Sequence, residues 1–442
     1  MRIFLSALLI ALSAYGAALA ADLPQQPTSG VAPLASTPPK AQDFNQYVRL
    51  LLASHPEVLA LKAEAEAKGN MPSQEYSLPN PQLSIGVMDL PSDSLSFTSE
   101  DMTRKSIGIS QAFPASGKRE LRRKVAQDDA DMAAHAVGEK RLELVESARL
   151  AFYELRYLLK VQATVVKNKK VLHEFIDIAL AKYTVGGGVQ QDVLAAQLEY
   201  SKTAEYLIGI EQRLATLSRN LNVWAGLPPE TDWSDPSVMP LGEILAAEDK
   251  MVEGAVGKRP LFRQMGAALQ KAEDAAALAR RELAPDYAVK FSYSQRDDTP
   301  MQRSDLFSAE VMFDLPLYRK TKQDKMIAQS MIMADRARLD IEAEKLKLRR
   351  DIAELMEMQR KNMRLLALYQ TGLLPQAEQA VHAAMSAYRV NKVDFRWLVM
   401  NQVTLFNYQI QMDQVEFDLQ STRTKLLRAM GEENNSEVAN GY

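Results

Sequence analysis

Cysteine is absent from the 442 residues. That excludes disulfides, thiolate metal sites, thiol nucleophiles and a lipid carried on an N-terminal Cys. Beyond the N-terminus no stretch approaches the ~18 consecutive apolar residues of a spanning helix. An excess of one charge is also missing. Lys plus Arg number 53 against 56 Asp plus Glu, a formal net of -3, so nothing points to nucleic acid. The four histidines (His55, His135, His173, His382) are scattered without ligand spacing. Gly-x-Ser-x-Gly, His-Glu-x-x-His and phosphate-loop patterns are all missing. No enzyme and no cofactor is expected.

What is present begins with Met1-Arg2, an apolar run from Ile3 to Leu12, and Ala18-Leu19-Ala20. These are the three parts of a secretory signal, with cleavage expected after Ala20, so residues 1–20 read as a signal peptide. Residues 21–41 are rich in Pro, Ser, Thr and Gln and read as a flexible linker. The acidic, Asn-containing stretch 432–442 reads as a disordered tail. An exported chain without a spanning helix is either soluble or crosses a membrane as a closed barrel.

Between the tails the chain repeats itself once. His55-Pro56-Glu57 resembles Arg259-Pro260-Leu261, and Asn80-Pro81-Gln82 resembles Ala284-Pro285-Asp286. Phe113-Pro114 through Lys118 resembles Leu315-Pro316 through Lys320, and Val125-Ala126-Gln127 resembles Ile327-Ala328-Gln329, at a slightly shorter spacing. Tyr183-Thr184-Val185-Gly186 resembles Tyr388-Arg389-Val390-Asn391. Matches in one order at nearly one spacing mean an internal duplication, here divided as repeats 42–226 and 227–431.

Each repeat holds two short alternating segments. Apolar residues fall at Leu83, Ile85 and Val87, at Ile107 and Ile109, at Tyr287, Val289, Phe291 and Tyr293, and at Phe307, Ala309, Val311 and Phe313. A period of two marks strands with one apolar face, long enough to cross a bilayer when tilted. The rest is helical. No proline interrupts Lys118 to Leu227, and apolar residues recur at steps of 3 and 4 from Leu144 to Val165, by way of Gln162. Gly186-Gly187-Gly188 must turn this rod back, so a helix of about 65 residues, roughly 100 Å long, descends and a shorter one returns. Pro375 is expected to kink or break the matching arm of the second repeat. Twenty methionines tempt a copper reading, but Met331 and Met333, like Met356 and Met358, sit two apart and share no helix face, so packing is the simpler role.

Four segments resemble the TolC-type outer-membrane efflux family: Leu51 to Ala60, Ile107 to Arg119, Tyr183 to Asp192, and Leu373 to Ala380. The strand-to-helix exit Ile107–Arg119 is closest to the heavy-metal branch, the cobalt-zinc-cadmium and copper-silver exporters. The resemblance implies a mainly α fold with a small β part. Each copy would give a long helical coiled-coil barrel and four strands of a trimeric twelve-stranded transmembrane β-barrel. It further implies a homotrimer in the outer membrane, extending into the periplasm, with a periplasmic adaptor and an inner-membrane pump of RND type as partners. The cargo expected is heavy-metal cations, with drugs or type I secretion substrates as the alternative and a secreted structural coiled coil as the alternative of another class. The family narrows its inner tip with aspartate rings, and aligning Val390 places those positions on Trp397 and Met400, neither of them acidic. Candidates for the periplasmic tip and aperture are therefore Gly186, Gly187, Gly188, Asp192, Asn391, Lys392, Asp394, Arg396, Trp397 and Met400.

Overall fold

The computed structural model describes residues 43–432 apart from 232, 235, 244–246 and 298–302. The signal segment, the linker and residues 433–442 of the tail lie outside the described residues.

One element order occurs twice. It runs first as α1 (Phe44–Ser54), α2 (Pro56–Gly69), α3 (Met71–Tyr76), β1 (Gln82–Met88), β2 (Arg104–Phe113), α4 (Lys118–Thr184) and α5 (Gln190–Ala225). It then runs as α6 (Glu248–Lys258), α7 (Pro260–Arg281), β3 (Tyr287–Gln295), β4 (Leu306–Phe313), α8 (Gln323–Leu368), a π-helical turn (Tyr369–Leu373), α9 (Leu374–Arg389) and α10 (Phe395–Met430). Both repeats break just before a proline, Pro56 in the first and Pro260 in the second. Proline holds the residue before it extended and starts the next helix without needing its missing N–H. His55 accordingly has ψ 121° and Arg259 ψ 127°.

The four strands form one antiparallel sheet in the order β1-β2-β3-β4. The register puts Leu83, Ile109, Phe291 and Ala309 in one row and Ile85, Ile107, Tyr293 and Phe307 in the next, all on one face. Most of that face is bare in the single chain, Phe307 at 86% exposure. Aromatic rings bound it at both ends. Phe113 stacks on Tyr287 at 5.3 Å, with Phe313 beyond, and Tyr293 meets Phe307 at 5.1 Å. Six residues at about 3.3 Å each, from Tyr287 to Tyr293, set the two aromatic ends roughly 20 Å apart. The opposite face is small and polar, with Ser84, Gly108, Ser292 and Ser308 side by side. A Cβ on Gly108 would lie 3.0 Å from Ser84 Oγ and 3.1 Å from Ser292 Cβ, so only glycine lets the strands curl towards that side. The outer edges of β1 and β4 pair with nothing among the described residues.

Below the sheet, α4 runs 67 residues unbroken, about 100 Å, before the glycine turn sends α5 back for 36. Leu158, Val161, Val165, Leu172, Phe175 and Ala179 form the seam. Val161 takes the place expected of Gln162, which is half-buried. At Pro375 the second arm is distorted into a π turn but does not break. Its backbone stays in the right-handed helical region from Leu368 through Leu374, and the π turn absorbs the proline. The cause is one surplus residue. Buried Leu348 and Ile352 answer Leu144 and Ala148 at a spacing of 204 (348 − 144), whereas Ala377 and Ala384 answer Leu172 and Ala179 at 205 (384 − 179). A π turn is how a helix takes up one inserted residue.

The same comparison corrects the pairing of Val125-Ala126-Gln127 with Ile327-Ala328-Gln329. Residues 314–322 separate β4 from α8, where only 114–117 separate β2 from α4. The two exits are therefore alike in motif but not in helix register.

Midway down the rod lies the main core. Tyr47, Phe152 and Trp233 meet edge-on or tilted at 5.2–5.7 Å, with Phe44 at 5.4 Å from Phe152. The segment between repeats is tied in by Tyr153 Oη donating to the Met239 carbonyl (2.7 Å) and Arg423 Nη1 donating to the Leu241 carbonyl (2.6 Å). Burying those large rings stabilises the waist by ~2 kcal/mol each. At the junction with the sheet, Lys118 is 2% exposed and bonded to Glu282 and Asp286, both at 2.9 Å. Burial opposes its charge, but the two carboxylates prevail and hold its pKa above the ordinary lysine range. Among the described residues no helix is long and apolar enough to cross a membrane.

Candidate aperture at the helical tips

The two far turns are built alike from different residues. In the first, Gly186 takes φ 75°, and its N–H and that of Gly187 close onto the Tyr183 and Lys182 carbonyls at 3.1 and 2.9 Å. In the second, Asn391 takes φ 56°, and its N–H and that of Lys392 close onto Tyr388 and Ala387 at 3.1 and 2.9 Å. Each is a Schellman-type end needing one left-handed residue, which glycine or asparagine supplies. Gly186 is therefore a requirement of the turn. Gly188 is constrained by space instead, since its Cβ would lie 3.2 Å from Lys182 Cβ.

Two side chains not anticipated from the sequence join the turns. Lys182 Nζ donates to Asn391 Oδ1 (2.6 Å) and to the Tyr388 carbonyl, and it lies 4.0 Å over the Tyr388 ring. The Tyr183 and Tyr388 match pointed near this spot, but a lysine one residue earlier carried no signal of its own. The Tyr388 hydroxyl is buried without a hydrogen bond of ordinary geometry, beside Asp192. Burial pushes the Asp192 carboxyl above the usual aspartate range and Asp394 adds to it, while Lys182 and Tyr388 act the other way.

Of the expected residues, Gly187, Gly188, Asp192, Asn391, Lys392, Asp394 and Arg396 line one open cleft between the tips. Gly186 caps the first turn at its edge. Trp397 and Met400 do not line the cleft and are exposed elsewhere on α10, Trp397 at 51%. At the spacing of 205, Trp397 occupies in the second turn the place Asp192 occupies in the first. Three or more metal-binding side chains do not converge anywhere among the described residues. The cleft offers charge and hydrogen bonds.

Residues 47–227 match the sequence pattern of the family described as outer membrane efflux protein. No curated protein matches the chain by sequence. Among solved structures, the outer-membrane channel OprN is 15% identical, covers 88% of this chain and 89% of its own, and superposes with a TM-score of 0.74. The outer membrane protein VceC from Vibrio cholerae is 16% identical over 88% of this chain and 96% of its own, TM-score 0.73. CusC, described for folding and transmembrane channel formation, is 12% identical over 88% and 92%, TM-score 0.73. At these identities what is shared is the fold.

Proposed function

We propose that this chain is the outer-membrane channel of an efflux system, taking as premise the efflux-family pattern of residues 47–227 and the channel fold of the described chain. The observation that carries the reading is the sheet. It has one apolar face rimmed by aromatics and one small polar face, its two edges are unpaired among the described residues, and it stands on helical arms about 100 Å long. Aromatic girdles around an apolar band are what a bilayer selects on a barrel wall. Four strands cannot close alone, and open edges invite more strands. Three copies give twelve strands, with the Ser84–Gly108–Ser292–Ser308 row turned to a wet lumen and the arms continuing as a periplasmic tube. The division into repeats 42–226 and 227–431 belongs to this reading.

Transport would be passive, with energy supplied by an inner-membrane pump of RND type through a periplasmic adaptor at the tips. Heavy-metal cations are the proposed cargo, on the strength of the Ile107–Arg119 exit motif. The test is a deletion strain challenged with zinc, cobalt, cadmium, copper and silver beside common drugs. Metal sensitivity in the deletion strain, with tolerance restored by the gene, supports the cargo. Unchanged metal tolerance with heightened drug sensitivity would transfer the channel to drugs.

A further inference from the structure

Within the chain, the first long arm is clasped by the second repeat. Helices α4 and α7 run antiparallel, with Asp129 bonded to Lys271 at 2.7 Å and Glu139 to Arg259 at 2.7 Å. At Gly138 an added Cβ would lie 3.1 Å from Pro260, so backbone meets proline directly. The equivalent surface of the second arm is uncovered. Among the described residues α8 packs on α6, α7, α10 and the π turn, but on neither α2 nor α3.

At the spacing of 204, Asp128, Gly138, Glu139 and Leu142 become Ile332, Glu342, Ala343 and Leu346, while Arg259 and Pro260 become His55 and Pro56. Asp128 and Leu142 are 9% and 6% exposed; Ile332 and Leu346 are 66% and 68% exposed. Pro56 is likewise bare, and His55 beside it is only half-buried.

We propose that α8 of one copy seats on α2 and α3 of the next, with Glu342 lying over Pro56 and bonded to His55 of that neighbour. The assignment rests on the oligomeric channel proposed above. It follows from the duplication: the joint made inside the chain by α4 and α7 is remade between copies by α8 and α2–α3. The chemistry shifts in three ways. Ala343 in place of Glu139 removes the acid that grips Arg259, and Glu342 supplies one a residue earlier. A glutamate where Gly138 stands holds the two helices apart by the depth of a side chain. Ile332 and Leu346 then bury their exposed surface against the neighbour, which the hydrophobic effect favours. Glu342 can change partners cheaply, because its present bond to Lys345 is an exposed pair within one helix.

The chain's lack of cysteine makes the test clean. In full-length protein in its own membrane, His55→Cys with Glu342→Cys should give, on mild oxidation, covalent species of two and three chains in denaturing gels; neither single variant should. As a second readout, His55→Glu sets two acids face to face and should lower the trimer recovered, and adding Glu342→Lys should restore it. An unmodified protein that is trimeric by mass, with no covalent ladder and no restoration, would overturn this joint and leave the channel standing. An unmodified protein that is monomeric would remove both.

Discussion

Gly226 and Gly431 end the two return helices with the same left-handed geometry, at φ 63° and 71°, yet they differ in surroundings. Among the described residues nothing lies within 4 Å of a Cβ on Gly226, whereas one on Gly431 would sit 2.7 Å from Arg259 Cα. Gly226→Ala should therefore cost only the left-handed penalty of roughly 1 kcal/mol. Gly431→Ala should cost about 1–3 kcal/mol more, since the Arg259 backbone cannot step aside. Thermal unfolding of the detergent-extracted protein ranks the two, and equal losses would refute the contact. Asp128 offers a second residue test. Burial first, then Asp274, Asp131 and Asp129 (itself held by Lys271), raise its pKa to about 6. A carboxyl that holds its proton more tightly when folded stabilises the fold at pH values below its ordinary range, and that stabilisation is lost as pH climbs through about 6. Asp128→Asn should thus gain about 1–2 kcal/mol at pH 7.5, with little change at pH 4, and flatten melting against pH between them. The strand residues were legible in the sequence because alternation has only one reading. Lys182 was not, because a lysine at a helix end looks the same whether it bonds a neighbour or water.

Helices and strands emerged near their expected bounds, and the left-handed turns near theirs, since glycine runs and period-two patterns are local signals. The π turn was hidden for the opposite reason. Its cause is a one-residue difference between two arms, visible only once buried faces can be compared. Pro375 needs that turn, for an α-helix would press its ring against the carbonyl four residues back. Removing Thr371 alone should return the arm to α geometry and lose about 3 kcal/mol to the proline. Removing Thr371 together with Pro375→Ala should be nearly neutral, because the packing on either side already agrees. Removing Ala343 instead should be far worse, since it rotates the rest of α8 by about 100°. Melting temperatures of the three deletions decide the matter. Equal damage from all three would mean the turn does not take up a surplus residue.

At the scale of the whole molecule, the sheet and arms were legible because each follows from a hydrophobic period. The trimer proposed for them rests on resemblance, since edge pairing across copies leaves no mark within one sequence. Extraction in mild detergent should give a species of three chains that migrates faster before boiling than the boiled chain's mass would place it. A monomer without that shift would contradict the barrel. Trp397→Ala should make the duct leakier, read as larger single-channel conductance in planar bilayers. Unaltered conductance would count against a constriction at Trp397 and favour its packing between hairpins.

The two tips carry unlike chemistry. Residues 185–189 are valine and glycine throughout, while 390–396 bring Lys392, Asp394 and Arg396 to the surface. A ring of three copies would then present six turns in strict alternation, one bland and one ionic. Any docking protein made of identical units must either grip every second turn or use two separate handshakes. Counting how many of its units bind per ring, in low and in high salt, would tell which: the ionic grip loosens with screening, and the bland one does not.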